Sequence, residues 1–223
     1  MSQEEGQVLY RSRTDVASLG IMTVDSVSQI EHLCRERDAG RLLNAPESLP
    51  RPVEDVLFRS TLAVSDHPSC TSIKALGVNA ENARRGVETK GAIITLFDRV
   101  TAYPVASVDG IWITEVRIAA LSALIAKHFA CADPASIVFA GAGAQARSHL
   151  DAFLNLFPLR DVRVFGRGEA NGLALCKKAE ALGSTARTIP SPGRPLKVPI
   201  SPLRARALKI FIERPFACRL TIL

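Results

Sequence analysis

Ser136-Ile-Val-Phe-Ala-Gly-Ala-Gly-Ala-Gln-Ala146 is the stretch on which the fold turns. Ile137 to Ala140 suit a short buried strand, two glycines follow, and small and amphipathic residues then open a helix. A strand that leaves a glycine turn as a helix makes a phosphate site. The first helical N–H groups have no carbonyl partner and carry the positive end of the dipole. Gly141 allows the tight turn, Gly143 leaves room for a pyrophosphate, and Ala144 and Gln145 begin the helix. Ala146 stands where the third glycine of G-x-G-x-x-G lets helix and strand pack closely, a position that accepts alanine. The spacing alone is shared with ordinary small-residue turns; the strand before it and the helix after it make this a dinucleotide candidate.

Asp161-Val-Arg-Val-Phe165 reads as a second parallel strand, ending at Gly166-Arg167-Gly168. A free ribose 2′-hydroxyl usually meets an acid about 20 residues beyond the glycines. Here Arg167 occupies that region and the nearest acid, Glu169, comes later. Arg167 suits a 2′-phosphate and so favours NADPH over NADH; the plainer alternative is a solvated loop arginine. Upstream, Thr114 has the hydroxyl of an N-cap for a helix running from Arg117 to about Ala130. That places Arg117 in the first turn, against the helix dipole, where a cation needs a reason such as a ligand or a pairing with Glu115 or Asp109.

Ser72-Ile-Lys74, Gly91-Ala-Ile-Ile-Thr-Leu-Phe-Asp98, Ala106-Ser-Val-Asp-Gly110, Thr114-Glu-Val-Arg117 and the glycine turn follow one another in fixed order. In this the chain resembles the ornithine cyclodeaminase and mu-crystallin family of NAD(P)-dependent imine-forming and imine-reducing enzymes, from about Pro50 to about Leu182. The resemblance implies that Lys74 and Arg117 hold a substrate carboxylate, with Arg51 as the candidate for a third cation, and that the Thr114 region and the glycine turn face the cofactor. A guanidinium grips a carboxylate through two parallel hydrogen bonds and a lysine adds a point charge. It also implies a small amino or imino acid as substrate and a homodimer.

The chain departs from the family pattern in places. Ile118 follows the helix arginine where the family usually has threonine, and the Met-Pro pattern is missing around Phe58-Arg-Ser-Thr-Leu62. So is the acid that cyclodeaminases place just before it for the ornithine side chain. These differences favour a reductase or dehydrogenase acting on a cyclic imine (ketimine) or 2-imino acid over a lyase forming proline and ammonia. The family's catalytic Asp and several nicotinamide contacts belong to a later part of the nucleotide domain, and no residue before Leu223 is assignable to that Asp. The alternatives are thus a non-catalytic NADPH or small-molecule binding protein, or an inactive truncated product with little turnover.

The expected architecture is α/β: an α+β substrate-binding and dimerisation domain over 1–115, a partial Rossmann-like dinucleotide domain over 116–186, and a basic, Pro-rich divergent tail over 187–223. The tail holds six of the 13 prolines and eight of the 28 Lys and Arg against the single acid Glu213. The net charge of +6 is therefore a property of the tail, the rest being nearly neutral, and nucleic acid is not an expected partner. Two βα units alone leave a sheet edge unpaired and open to aggregation.

In the first domain, a helix over about Val24 to Ala39 ends at Gly40, and a Pro-rich loop spans Asn44 to Pro52. Strands are expected at Val56–Val64, Thr71–Val78, Gly91–Asp98 and Pro104–Val108. No apolar run approaches the roughly 18 residues that span a membrane, and Met1-Ser-Gln-Glu-Glu5 has no signal-peptide character. Five widely spaced cysteines read as free thiols in the cytoplasm. The four histidines show no metal-ligand spacing and read as surface or satisfied side chains; no metal is expected.

Overall fold

The computed structural model describes residues 7–130, 133–166 and 168–190 in full, together with the backbone of 209–213 and 219–222. Two compact units result: Met1–Ile21 with Gln29–Thr114, and Met22–Ser28 with Glu115–Leu223.

The first unit is built on a six-stranded sheet of order β1-β6-β5-β4-β3-β2. Its centre is a meander of β3 (Val56–Ser65), β4 (Cys70–Asn79), β5 (Lys90–Asp98) and β6 (Pro104–Asp109), all antiparallel. These are the four strands expected from sequence, each extended by a residue or so. β1 (Leu9–Arg11) joins β6 in parallel, and β2 (Leu42–Asn44) pairs with β3 where the sequence suggested the start of a loop. The register gives the sheet two unlike faces. Phe58, Ala75 and Ile93 lie on the exposed one, and Lys74, paired with Thr61 and Ile94, lies on the better covered one. Such asymmetry is usual for antiparallel sheets. α1 (Arg13–Ser18) starts with a capping box, Ser12 and Asp15 each bonding the other's backbone N–H. α2 (Thr23–Asp38) ends before Gly40, whose φ of +73° closes the helix.

The second unit opens with α3 (Ile111–Phe129), which begins in the first, and continues β7 (Ser136–Ala140), α4 (Ala144–Leu156), β8 (Asp161–Phe165), α5 (Glu169–Ala181) and β9 (Thr185–Thr188). β7, β8 and β9 are parallel neighbours, so the glycine turn follows the first of three strands. Ile137, Phe139, Val162 and Val164 from the strands and Leu150, Phe153 and Leu175 from the helices are almost completely buried. That is the continuous apolar packing a parallel sheet requires. Lys178 Nζ and Asp151 Oδ2, 2.6 Å apart, link α5 to α4.

Three expectations are revised. The sheet does not stop at residue 186. β9 runs to Thr188, and β10 (Lys209–Glu213) pairs antiparallel with β7 while β11 (Arg219–Ile222) pairs with β10. The edge of β7 that two βα units leave open is therefore covered by a hairpin from the tail. Thr114 is not an N-cap. α3 starts three residues earlier, Asp109 Oδ1 accepts from the Ile111 N–H at 2.9 Å, and the Thr114 N–H already bonds the Gly110 carbonyl at 2.9 Å. Arg117 consequently lies in the second turn, where the dipole penalty has largely faded.

Candidate functional site

The glycine turn has the geometry of a phosphate cradle. Gly141 has φ of +118°, a conformation that side-chain-bearing residues avoid, and its N–H donates to the Phe165 carbonyl at 2.7 Å. This bond holds the end of β7 against the end of β8. A Cβ on Gly166 would lie 3.8 Å from Gly141 Cα, so the two turns run side by side. Gly143 is the N-cap of α4, with no side-chain cap bond, and a Cβ built on it meets nothing within 4 Å. Ala146 and Arg147 both donate to the Gly143 carbonyl, at 3.1 and 3.3 Å. Ala144 and Gln145 come before that ladder and have no intrahelical carbonyl to reach. Ala146 is fully buried, as the close-packing position requires. Gln145 Oε1 is buried with no hydrogen-bond partner among the described residues; as an amide oxygen it can accept from a donor but not bond a phosphate oxygen. Open space at Gly143 and the helix-end N–H donors fit a dinucleotide pyrophosphate.

Behind the turn, His149 is 3 % exposed. Its Nδ1 lies 2.7 Å from the Gln145 carbonyl and its Nε2 3.0 Å from Ser122 Oγ on α3. A carbonyl only accepts, so Nδ1 carries the hydrogen and Nε2 accepts from the Ser122 hydroxyl. Burial lowers the pKa of this ring below that of free histidine, outweighing the Gln145 bond.

The expected substrate cations lie on different elements. Lys74 is half-buried at the middle of β4. Arg117 is exposed on α3, one turn after Thr114, whose Oγ1 is buried without a hydrogen-bond partner among the described residues. Arg51 is exposed in the loop before β3. The neighbouring Pro50 carbonyl accepts from the Phe58 N–H at 3.0 Å, so β3 stands between Arg51 and the strand of Lys74. Arg167 lies outside the described residues.

The start of α3 is clamped within the first unit. Arg13 makes a bidentate bond to Glu88 at 2.7 and 2.8 Å, and its Nε lies 3.4 Å from the Asp109 oxygen that caps Ile111. Sequence reasoning missed Asp109 as this cap, although Asp-Gly before an apolar helix is a readable signal. It also grouped His149 with the other histidines. The Gln145-to-His149 spacing of four, one helical turn, was the available clue.

A strand-turn-helix cradle beside a parallel sheet defines a dinucleotide-binding class of fold. More particularly, the ornithine cyclodeaminase/mu-crystallin family model matches residues 7–192, and the chain belongs to that family. Among its relatives, the nodulation efficiency protein NfeD of Rhizobium meliloti is 25% identical over 183 residues, covering 82% of this chain and 56% of that protein. A Δ1-pyrroline-2-carboxylate reductase 2 of Burkholderia ambifaria is 30% identical over 150 residues, 66% of this chain and 46% of the reductase. The chain thus spans about half the length of these relatives. In structure it resembles the Δ1-pyrroline-2-carboxylate reductase of Thermococcus litoralis solved with NADH and L-proline. The TM-score is 0.78 at 23% identity, over 83% of this chain and 58% of that one. A lysine cyclodeaminase superposes with a TM-score of 0.71 at 22% identity, over 82% of this chain and 56% of that one. At these identities the structural likeness shows the fold.

Proposed function

We propose that the chain is an NAD(P)H-dependent oxidoreductase that reduces a cyclic imine carboxylate or another 2-imino acid, or oxidises the matching amino acid. The observation that carries this reading is the β7–Gly141–Gly143–α4 cradle, with its open space and helix-end donors. When bound, a reduced nicotinamide supplies a hydride to the C=N carbon, and the nitrogen takes up a proton. The residues of the chain bind and orient. The N–H groups of Ala144 and Gln145 meet the pyrophosphate. Lys74 and Arg117, by the family resemblance, grip the substrate carboxylate and so fix which carbon is presented. Arg51 is the auxiliary cation of this reading. Arg167 pairs a 2′-phosphate and makes NADPH the preferred cofactor.

Reduction is favoured over ornithine cyclisation by the missing Met-Pro and acidic pattern before β4. The test is to follow nicotinamide absorbance with NADPH or NADH and pyrroline-2-carboxylate, and in parallel to assay proline and ammonia from ornithine. Imine-dependent oxidation of the nicotinamide supports the reading. Proline and ammonia without net oxidation would replace it with the lyase.

A second reading, nucleotide binding without turnover, is favoured by one feature. A doubly wound sheet continues beyond its first strand with a parallel neighbour, whereas β7 is flanked by the antiparallel β10. Tight nucleotide binding with no reaction on either substrate would select it. For assembly we propose a homodimer, supported by Phe58 and Ile93, 52 % and 43 % exposed on one face of the first sheet. The free thiols of Cys34, Cys70 and Cys176 suit a reducing compartment such as the cytoplasm. No helix among the described residues is long and apolar enough to cross a membrane.

A further inference from the structure

We propose that His149 is a positioning residue for the glycine turn. Its neutral ring ties the first turn of α4 to α3 through Ser122, and so holds the dinucleotide cradle in shape before a nucleotide arrives. The idea rests on the nucleotide reading for its purpose but not for its geometry.

The contacts form one unbroken line inside the second unit. The Ser122 hydroxyl donates to Nε2 at 3.0 Å, and Nδ1–H donates to the Gln145 carbonyl at 2.7 Å. That carbonyl belongs to the same planar peptide as the Ala146 N–H. Fixing the oxygen therefore fixes the direction of the N–H, which donates to the Gly143 carbonyl at 3.1 Å. The line that starts on α3 thus ends at the N-cap glycine of α4, where no side chain caps the helix. Phe153, one turn further along α4, stacks on the imidazole with ring centroids 6.4 Å apart and planes 17° from parallel, which restricts the ring's tilt. Both ring nitrogens are satisfied, so the ring offers no spare atom for a ligand or a metal. Its effect on chemistry must pass through the backbone it holds. The helix start has a glycine N-cap and, two residues before it, a glycine at positive φ, so no side chain of these glycines holds the turn. External anchoring of its second residue is what such a turn lacks from its own sequence.

The same helix supplies the conservative substitution. Asn155 Nδ2 donates to the Asp151 carbonyl four residues back at 2.8 Å, so an asparagine on α4 reproduces the Nδ1–H bond of His149 without the link to Ser122. The experiment compares the full chain with H149L, H149N and S122A. It uses amide hydrogen exchange resolved to residues 141–148, and the dissociation constants of NADPH and NADH.

H149L is expected to exchange about tenfold faster at 143–147, and to bind nucleotide roughly 3- to 10-fold more weakly, the range for one lost hydrogen bond. H149N and S122A each keep the bond to the Gln145 carbonyl and lose the link to α3, so both should show a loss of the same pattern, smaller than that of H149L. Unchanged exchange at 143–147 in H149L overturns the proposal. So does an increase spread evenly over the second unit that H149N fails to rescue, because His149 would then be a core residue and nothing more. If the wild-type chain binds neither nucleotide, the functional reading fails, and the exchange measurement alone decides whether His149 anchors the turn.

Discussion

Six strands make the first unit and five the second, yet the fully buried apolar side chains are divided very unevenly. Among the described residues the first unit contributes none of the largest, its buried apolar side chain being Val16 at 5 % exposed. The second contributes Ile137, Phe139, Leu150, Phe153, Val162, Val164 and Leu175, each under 2 % exposed. A parallel sheet joined by helical crossovers must cover its strands, so its residues become core. An antiparallel meander keeps one face open, and here that face presents Phe58, Ala75 and Ile93. The contrast teaches where stability and recognition are kept apart. The second unit has a core of its own around a cradle for a nucleotide. The first spends apolar side chains on an exposed surface and keeps Lys74 on its better covered face.

The sharpest way to break this contrast is to truncate one aromatic in each unit. Phe153→Ala is expected to destabilise the second unit by about 3–5 kcal/mol, whereas Phe58→Ala should change monomer stability by no more than about 0.5 kcal/mol. Chemical denaturation at low protein concentration, read by probes in each unit, checks both, and equal losses would end the distinction. Next in size is Arg117→Ala. Removing one partner of a charge-assisted carboxylate bond costs about 1.5–3 kcal/mol, or roughly 10- to 150-fold in substrate affinity, with cofactor affinity unchanged. Titration of an imino acid or of proline against the variant measures it; an unaltered affinity removes Arg117 from the carboxylate site. Gly143→Val tests the cradle without disturbing the fold. Gly143 has φ of −81° and open space around it, so the melting temperature should fall only by the small cost of a poorer N-cap while nucleotide binding weakens by about tenfold or more, some 1.4 kcal/mol. A variant that binds normally would place the pyrophosphate elsewhere.

The pH dependence of stability offers a finer probe. The folded His149 ring has a pKa below the free value of about 6.5, so below that pH the unfolded chain takes up a proton that the folded chain excludes. The stabilising contribution is complete above about pH 6.5 and is lost as pH falls toward the folded pKa, by at most about 1.4 kcal/mol per pH unit. The slope assigned to His149 should vanish in H149N; a variant with the wild-type profile would show that other groups cause it. The smallest effect belongs to the first unit. Glu88→Ala breaks an exposed pair with Arg13 and should cost under about 1 kcal/mol, measurable as a small shift of that unit's transition.

Much of this architecture is legible in the chain because its signals are local. The strands of the meander are bounded by turn residues, and the β7 strand, turn and α4 helix announce themselves within eleven residues. The start of α3 was misread for an equally local reason. Thr114 is a good capping residue, but Asp109 and Gly110 offer a cap four to five residues earlier, and the longer helix satisfies more backbone. The tail was misread because its prolines and cationic residues dominate its composition. The pairing of β10 with β7 depends on a partner about seventy residues away, a separation at which pattern carries no information about register.

What the sequence determined by itself is the family, the α/β class and the glycine turn, since each is written in contiguous residues whose backbone needs follow from their chemistry. What the tertiary structure alone decided is which neighbours complete those pieces. It set the hairpin on the edge of β7, the Asp109 cap clamped by Arg13, and the Ser122–His149–Gln145 line behind the cradle. These depend on hydrogen bonds between groups brought together only when the chain folds. A hydrogen bond requires two atoms about 3 Å apart in the right direction, and no spacing along a chain specifies that.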